Sequence, residues 1–120
     1  PGGPRVALFI SHAPLIPAGG GSFAGRMIEA AGGRNAFGGI DRPFPVVSAE
    51  HLVRLDPDVI VSIDADPGKY FSSGAFRGLR AVRRGAVRSI DADLIGMYTP
   101  RNFVAAAGEL GRLIADAGKS

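Results

Sequence analysis

Three stretches of the chain are apolar without interruption, and between them apolar residues recur three and four positions apart. Val6–Ile10 is one such run, Val59–Val61 within "DVIVSID" is another, and Val87–Ile90 is a weaker third. Short unbroken runs suit strands covered on both faces, as in a parallel sheet. Helical spacing follows the first run. "SFAGRMIEAAG" places Phe23, Met27 and Ala30 on one face, with Ala24, Ile28 and Ala31 beside it. Ser22 offers an N-cap, and Gly32-Gly33 a C-terminal stop. A second helix is expected from about Ser48 to Leu55. It should end at Asp56-Pro57, because a residue before proline leaves the helical region. The last helix is expected from about Pro100 to Ala117, capped by Thr99 with proline at the first position. Phe103, Ala107, Leu110 and Ile114 form its apolar face. Val104, Gly108, Gly111 and Ala115 form a small-residue stripe beside it, expected to pack closely on a sheet, since each interior glycine otherwise costs a helix ~1 kcal/mol. Strands alternating with helices predict an α/β protein: a three-layer α/β/α sandwich with a mostly parallel central sheet, one domain spanning 1–120.

Composition narrows the chemistry. A chain of 120 residues supports one core. With no cysteine, neither a disulfide framework nor a thiolate metal site can form. No apolar run approaches the ~18 residues of a membrane span. The net charge of +3 comes largely from arginine, with Arg77, Arg80, Arg83, Arg84 and Arg88 clustered in "FRGLRAVRRGAVR". Single-strand binders interleave such charge with stacking aromatics, and here only Phe76 is near. The cluster reads as a solvated basic face, and no nucleic-acid partner is expected.

"PAGGGSFAG", residues 17–25, matches a dinucleotide fingerprint on paper: Gly19, Gly21 and Ala24 fit G-x-G-x-x-A, and Asp41 follows twenty residues after Gly21. In such a site the first glycine follows the strand immediately. Here the eight residues "SHAPLIPA" intervene, and no clear strand ends at Asp41. The glycines are expected instead to form a flexible or wide loop at the C-terminal edge of a sheet, leading into the helix capped by Ser22.

Five residues, "SIDAD", occur at 62–66 and again at 89–93, each where a strand should end. Asp64, Asp66, Asp91 and Asp93 would then lie at the edge that holds the site in open α/β sheets. Clustered carboxylates of this kind can hold Mg²⁺ for phosphoryl chemistry, which defines an alternative reading as a small Mg-dependent enzyme. Asp also favours turns and helix starts, and no phosphate loop accompanies these, so the structural role is preferred and no catalytic residue is assigned. His12 and His51 show no metal-ligand spacing. His51 is expected on the exposed side of a short helix, and His12 at the functional edge, after the first strand. Phe44, between two prolines, is either a core plug or an aromatic presented to a ligand. Glu50 lies in the first turn of its helix, favourably for the helix dipole or as an acid offered to a basic partner. Arg101 is a cation at the positive end of a helix, which a salt bridge to Asp91 or Asp93, or an anionic ligand, would excuse.

Taken in order, "GSFAGRMIEAAGGRNAF", "PFPVVSAEHLVRLDPDVIV", "LRAVRRGAVRSIDADL" and "TPRNFVAAAGELGRLI" resemble the C-terminal lobe of class III periplasmic binding proteins. These are the substrate-binding components of ABC importers for vitamin B12, ferric siderophores and haem. The resemblance covers nearly the whole chain. It implies one lobe of a two-lobed cleft binder that is not an enzyme, with the N-terminal lobe and linking helix absent from this chain. It further implies no intrinsic cofactor, a metal chelate (cobalamin, ferric siderophore or haem) as ligand, and an ABC permease dimer as partner. The implied location is periplasmic or otherwise extracytoplasmic, lipid-anchored or free in the full-length parent. Phe44 matches a ligand-facing aromatic of B12 binders, and Arg101 an arginine pointing into the cleft. His12 through Ile16, including Leu15, match the loop after the lobe's first strand, and Tyr98 lies in "YTPRN", which replaces a more usual "PGPR" type of segment. Glu50 in "VSAEHL" matches a glutamate that docks onto permease arginines. The isolated lobe is expected to self-associate through the surfaces its missing half would cover.

Overall fold

The computed structural model describes residues 3–72, 74–96 and 99–117. Its centre is a sheet of five strands: β1 (Arg5–His12), β2 (Leu15–Pro17), β3 (Arg34–Asn35), β4 (Val59–Ser62) and β5 (Val87–Ser89). The order is β2-β1-β4-β5, and β3 pairs with the start of β1. The β1–β4, β4–β5 and β1–β3 pairs are parallel, and only β2 runs antiparallel. The three apolar runs therefore fall on β1, β4 and β5, three of the four parallel strands, and β4 is buried along its whole length, as two-sided coverage demands.

Alternation along β1 shows the layers. Val6 faces Gly33, Ile28 and Ile114, so α1 (Phe23–Ala30) and α6 (Pro100–Ala117) cover that face. Phe9, of opposite parity, meets Phe37 edge-on at 6.0 Å and Phe71 of α3 (Pro67–Phe71) at 5.3 Å. The second layer is completed by α2 (Ala49–Leu55), a 3-10 turn (Gly74–Gly78) and α4 (Arg80–Arg83). A short α5 (Ala92–Gly96) links β5 to α6. This is the expected α/β/α sandwich with a mostly parallel sheet.

Local chemistry ends the helices where the sequence places their signals. Ser22 Oγ accepts from the Gly25 amide, and Ser48 Oγ from the His51 amide. Asp56 closes α2 in the left-handed region, at φ 45°. That strained cap is held by Arg80: its amide donates to Asp56 Oδ1 at 2.9 Å and its guanidinium to the Asp56 carbonyl at 2.8 Å. The same guanidinium pairs with Asp58 at 3.3 Å. One member of the basic cluster is thus a clamp at the edge opposite the strand C-termini, while Arg77, Arg83 and Arg84 are exposed.

Four expectations need correction. "SHAPLIPA" is not simply a loop, because Leu15–Pro17 folds back onto β1 after a cis Ala13–Pro14 bond. The buried face of α1 is Ala24, Gly25, Met27 and Ile28, and Ala30 points to solvent. In α6 the buried set is Ala106, Leu110, Leu113, Ile114 and Ala117. Val104 is 71% exposed and a Cβ at Gly108 would meet nothing within 4 Å, so the small-residue stripe packs on no sheet. Gly111 alone of that stripe comes near another element, where a Cβ would approach the Ala31 carbonyl at 3.6 Å. Finally, His51 is not exposed: its ring is half-buried, edge-on to Phe37 at 5.3 Å.

Candidate functional site

Parallel strands all end at one edge, and their C-terminal ends together with the following loops define it. Ile10 near the end of β1, Ile63 just after β4, and Ala92, Ile95 and Gly96 of α5 line a concavity of about 220 Å³ there, with Phe44 as its aromatic wall. Phe44 is half-buried and packs against the core, so it is both the plug and the presented aromatic that the sequence left as alternatives.

The glycine segment holds Phe44 in place. Gly19 donates its amide to the Pro43 carbonyl at 2.7 Å, and Gly20 to the Ile40 carbonyl at 2.8 Å. A Cβ at Gly19 would lie 1.9 Å from the Arg42 carbonyl oxygen, and one at Gly20 2.3 Å from that of Gly38. The glycines permit two backbone segments to touch. Their amides are spent on carbonyls, so the segment is neither a phosphate cradle nor a flexible loop. Asn35 braces the same place: its side-chain amide donates to the Ala18 and Gly19 carbonyls, while its oxygen accepts from the Phe37 amide.

Beside the concavity, His12 Nδ1 donates to Asp64 Oδ2 at 2.7 Å, and the imidazole lies against the Tyr70 ring at 4.4 Å between centroids. Asp64 is itself fixed. Ser62 Oγ donates to Oδ2 at 3.2 Å, the Asp64 amide donates to Ser62 Oγ, and Ser89 Oγ donates to the Asp64 carbonyl at 2.5 Å. The serines of both "SIDAD" copies therefore converge on one aspartate. The other aspartates do local work. Asp91 Oδ1 accepts from the Asp93 amide, and Asp66 stands at the N-cap of α3. Among the described residues no three His, Cys, Asp or Glu side chains form a metal-holding group.

Of the residues singled out from sequence, His12, Phe44 and Arg101 come to this edge. Arg101 is exposed in the first turn of α6, which Asn102 ties to α5 by donating to the Leu94 carbonyl at 2.6 Å. The expected ion pair to Asp91 or Asp93 does not form, and Arg101 makes none among the described residues. Leu15 is 6% exposed and belongs to the core, because its position in β2 points it inward; Ile16 is the less buried neighbour. Tyr98 lies outside the described residues. Glu50 is exposed on α2 and is not among the residues lining the concavity. Sequence reasoning missed Ile10, Ile63 and Ile95 as walls and Asp64 as the partner of His12. Ile10 was visible as the last apolar residue of its run, and Ile63 as the apolar residue just beyond Val59–Val61. The His12–Asp64 pair spans 52 positions and left no local signal.

No protein-family model matches the chain. The vitamin B12-binding protein of Vibrio vulnificus (strain CMCP6) is 28% identical over 105 residues, which are 85% of this chain and 38% of that protein. Among solved structures, the periplasmic vitamin B12 binding protein BtuF of Vibrio cholerae aligns with a TM-score of 0.82 at 24% identity, over 99% of this chain and 47% of that one. The periplasmic haem-binding protein BhuT, in complex with two haems, aligns at 0.81 with 28% identity, over 98% of this chain and 46% of that one. The chain spans less than half the length of each of these proteins. Over almost its whole length it is similar, in fold and in sequence, to one lobe of the periplasmic binding proteins whose members include those for vitamin B12 and haem.

Proposed function

We propose that this chain is the C-terminal lobe of the substrate-binding component of an ABC importer. It captures a metal chelate, namely cobalamin, haem or a ferric siderophore, between two lobes outside the cytoplasm and delivers it to the membrane permease. The observation that carries this reading is the apolar concavity walled by Phe44 at the C-terminal edge of the sheet. Such an edge is where open α/β sheets bind ligands, and an apolar wall with a few convergent polar groups is the usual make-up of a small-molecule site. The similarity to one lobe of B12- and haem-binding proteins supports the same reading.

In this account the lobe performs no bond chemistry. Phe44, Ile10, Ile63 and Ile95 take up the flat apolar part of the chelate, and His12 and Arg101 contribute polar contacts at the rim. Arg101, free of any ion pair among the described residues, suits a carboxylate or amide oxygen on the ligand periphery. Glu50, exposed on α2, offers a charge to a basic permease surface. The surfaces covered by the second lobe make the lobe alone prone to self-association. The test is calorimetric titration of the two-lobed protein carrying this lobe with cyanocobalamin, haemin and a ferric trihydroxamate. Saturable one-site binding of one chelate, weakened by Phe44→Ala, is expected. Failure of all three to bind would remove the reading.

A further inference from the structure

Four exposed arginines of the second layer have no counterpart within the chain. Arg54 lies in the last turn of α2, Arg77 in the 3-10 turn, and Arg83 and Arg84 at the end of α4. These elements adjoin. The 3-10 turn packs on both α2 and α4, and the Arg80 amide donates to Asp56 at the end of α2. Carboxylates are few here. Asp56, with Asp58 beyond it, is taken up by the Arg80 clamp, and Glu50 is the other acid on these elements. Arg54, Arg77, Arg83 and Arg84 form no ion pair among the described residues. Arg88 differs, because its guanidinium is turned onto the Gly85 and Val87 carbonyls. Like charges three and four residues apart, as Arg80 is from Arg83 and Arg84, destabilise a helix. An anion outside the chain would offset that repulsion.

Position decides which anion. α2 starts near the ligand edge, where the Val47 amide donates to the Leu15 carbonyl and Phe44 walls the concavity. It ends at the opposite edge, where the Arg5 amide donates to Asp58 Oδ2. Glu50 and Arg54 are four residues apart and share one side of the helix, with Arg54 a turn further from the cleft. When Glu50 meets a basic permease surface, the arginines therefore lie beside that contact, outward from the cleft. A basic protein surface would repel them, whereas the phosphates of the lipids around the permease would attract them. Nucleic acid does not suit the cluster. Single-strand binding needs aromatics open for stacking, and Phe76 is only 6% exposed. We propose that Arg54, Arg77, Arg83 and Arg84 form a contact surface for the anionic phospholipid headgroups of the bilayer that holds the permease. This rests on the importer reading above and adds a second partner to it. Guanidinium suits phosphate, because its planar fork donates two N–H groups to two oxygens. The attraction is screened by salt. It concentrates the protein at the membrane and turns α2 toward it, without involving the cleft.

The test mixes the chain itself with vesicles of phosphatidylcholine alone, or of equal parts phosphatidylcholine and phosphatidylglycerol, and measures co-sedimentation at low and at physiological salt. Binding to the anionic vesicles alone, weakened by salt, is expected. Each arginine near an anionic surface is worth about 5-fold in affinity. Arg83→Gln combined with Arg84→Gln should therefore lower affinity by about 25-fold, while circular dichroism remains that of the folded protein. The control is Arg26→Gln combined with Arg34→Gln, which removes the same charge from exposed positions on α1 and β3. It should lower affinity by less than about 5-fold. Equal losses in the two pairs would mean that net charge alone attracts the chain, and would overturn the proposal. So would failure to bind anionic vesicles. In a second arm, the two-lobed protein carrying this lobe is bound to its permease in detergent, without a bilayer. The Arg83, Arg84 double variant should bind there as wild type does. Weakened binding would assign the cluster to acidic permease groups and overturn the lipid contact. Vesicle binding through these arginines by a protein that takes up no chelate would support the contact and remove the importer reading, so the two fail separately.

Discussion

Replacing Gly19 by alanine tests whether the glycine segment exists to bring two backbones together. The added Cβ would lie 1.9 Å from the Arg42 carbonyl oxygen and 3.2 Å from that of Ile40. Ordinary contact begins near 3.4 Å, so the 40–43 segment must retreat by roughly 1.5 Å. That takes the Gly19–Pro43 hydrogen bond, 2.7 Å long, beyond bonding range. Its loss is worth about 1 kcal/mol. Strain from overpacking a rigid backbone contact adds about 1–3 kcal/mol. A total of about 2–4 kcal/mol is a large share of the ~5–15 kcal/mol that holds a domain folded. In urea, with a slope of about 2 kcal/mol per molar, the midpoint should fall by about 1–2 M. Phe44 follows Pro43 directly, so chelate affinity should fall in the same variant. Gly39→Ala is the control, since a Cβ there meets nothing within 4 Å. If Gly19→Ala unfolds at the same urea concentration as Gly39→Ala, the close-approach argument is wrong and the glycines have another purpose.

Three further substitutions probe separate parts of the account. Gly108→Ala, in an exposed interior turn of α6 with open space around it, should stabilise the protein by about 0.5–1 kcal/mol; a lowered melting temperature would mean that α6 packs there against something not recognised. Glu50→Arg should slow association with the permease and reduce its salt dependence, as reversing a rim charge does, read by surface plasmon resonance at two ionic strengths; unchanged association kinetics would take Glu50 off the docking surface. The Arg112 guanidinium hydrogen-bonds Glu109 and holds its carboxyl below the usual carboxylate range. A depressed folded value stabilises above the unfolded value and is lost as pH falls through the folded one, so Glu109→Gln should flatten the acid limb of the stability–pH curve, within about pH 3–5. Parallel acid limbs in wild type and variant would show that this exposed pair contributes nothing measurable.

The parts of the fold that were legible are those whose cause is local. β1 and β4 read as apolar runs because both faces are covered, and α6 kept its expected length because Thr99, Pro100 and the apolar spacing agree. β2 and β3 did not read as strands, since runs of three and two residues get their definition from pairing with β1, which no local pattern encodes. The helix faces were read with the right period and in part with the right residues: Ala24, Met27, Ile28, Leu110 and Ile114 are buried as expected, while Ala30 is exposed. In α6 the spacing allows both the face through Phe103 and Ala107 and the face through Ala106, Leu113 and Ala117, and packing on α1 and α5 favours the second. At the site, strand ends and proline-flanked Phe44 could be placed because the edge of a parallel sheet is predictable. The His12–Asp64 pair could not, because it is made by the β1–β4 register, which brings Phe9 opposite Ser62 and so the residues beyond them together.

The central claim is that the C-terminal edge of this sheet is a ligand surface. A chain of 12.4 kDa suits amide-resolved NMR, and diamagnetic cyanocobalamin, or a zinc-substituted porphyrin as a haem surrogate, can be titrated into the labelled protein. The account predicts progressive shifts confined to Ile10, His12, Phe44, Ile63, Ile95 and Arg101, with Arg5, Asp58 and Arg80 at the opposite edge unmoved. Shifts centred on Arg5, Asp58 and Arg80, or no shift anywhere with either ligand, would contradict it.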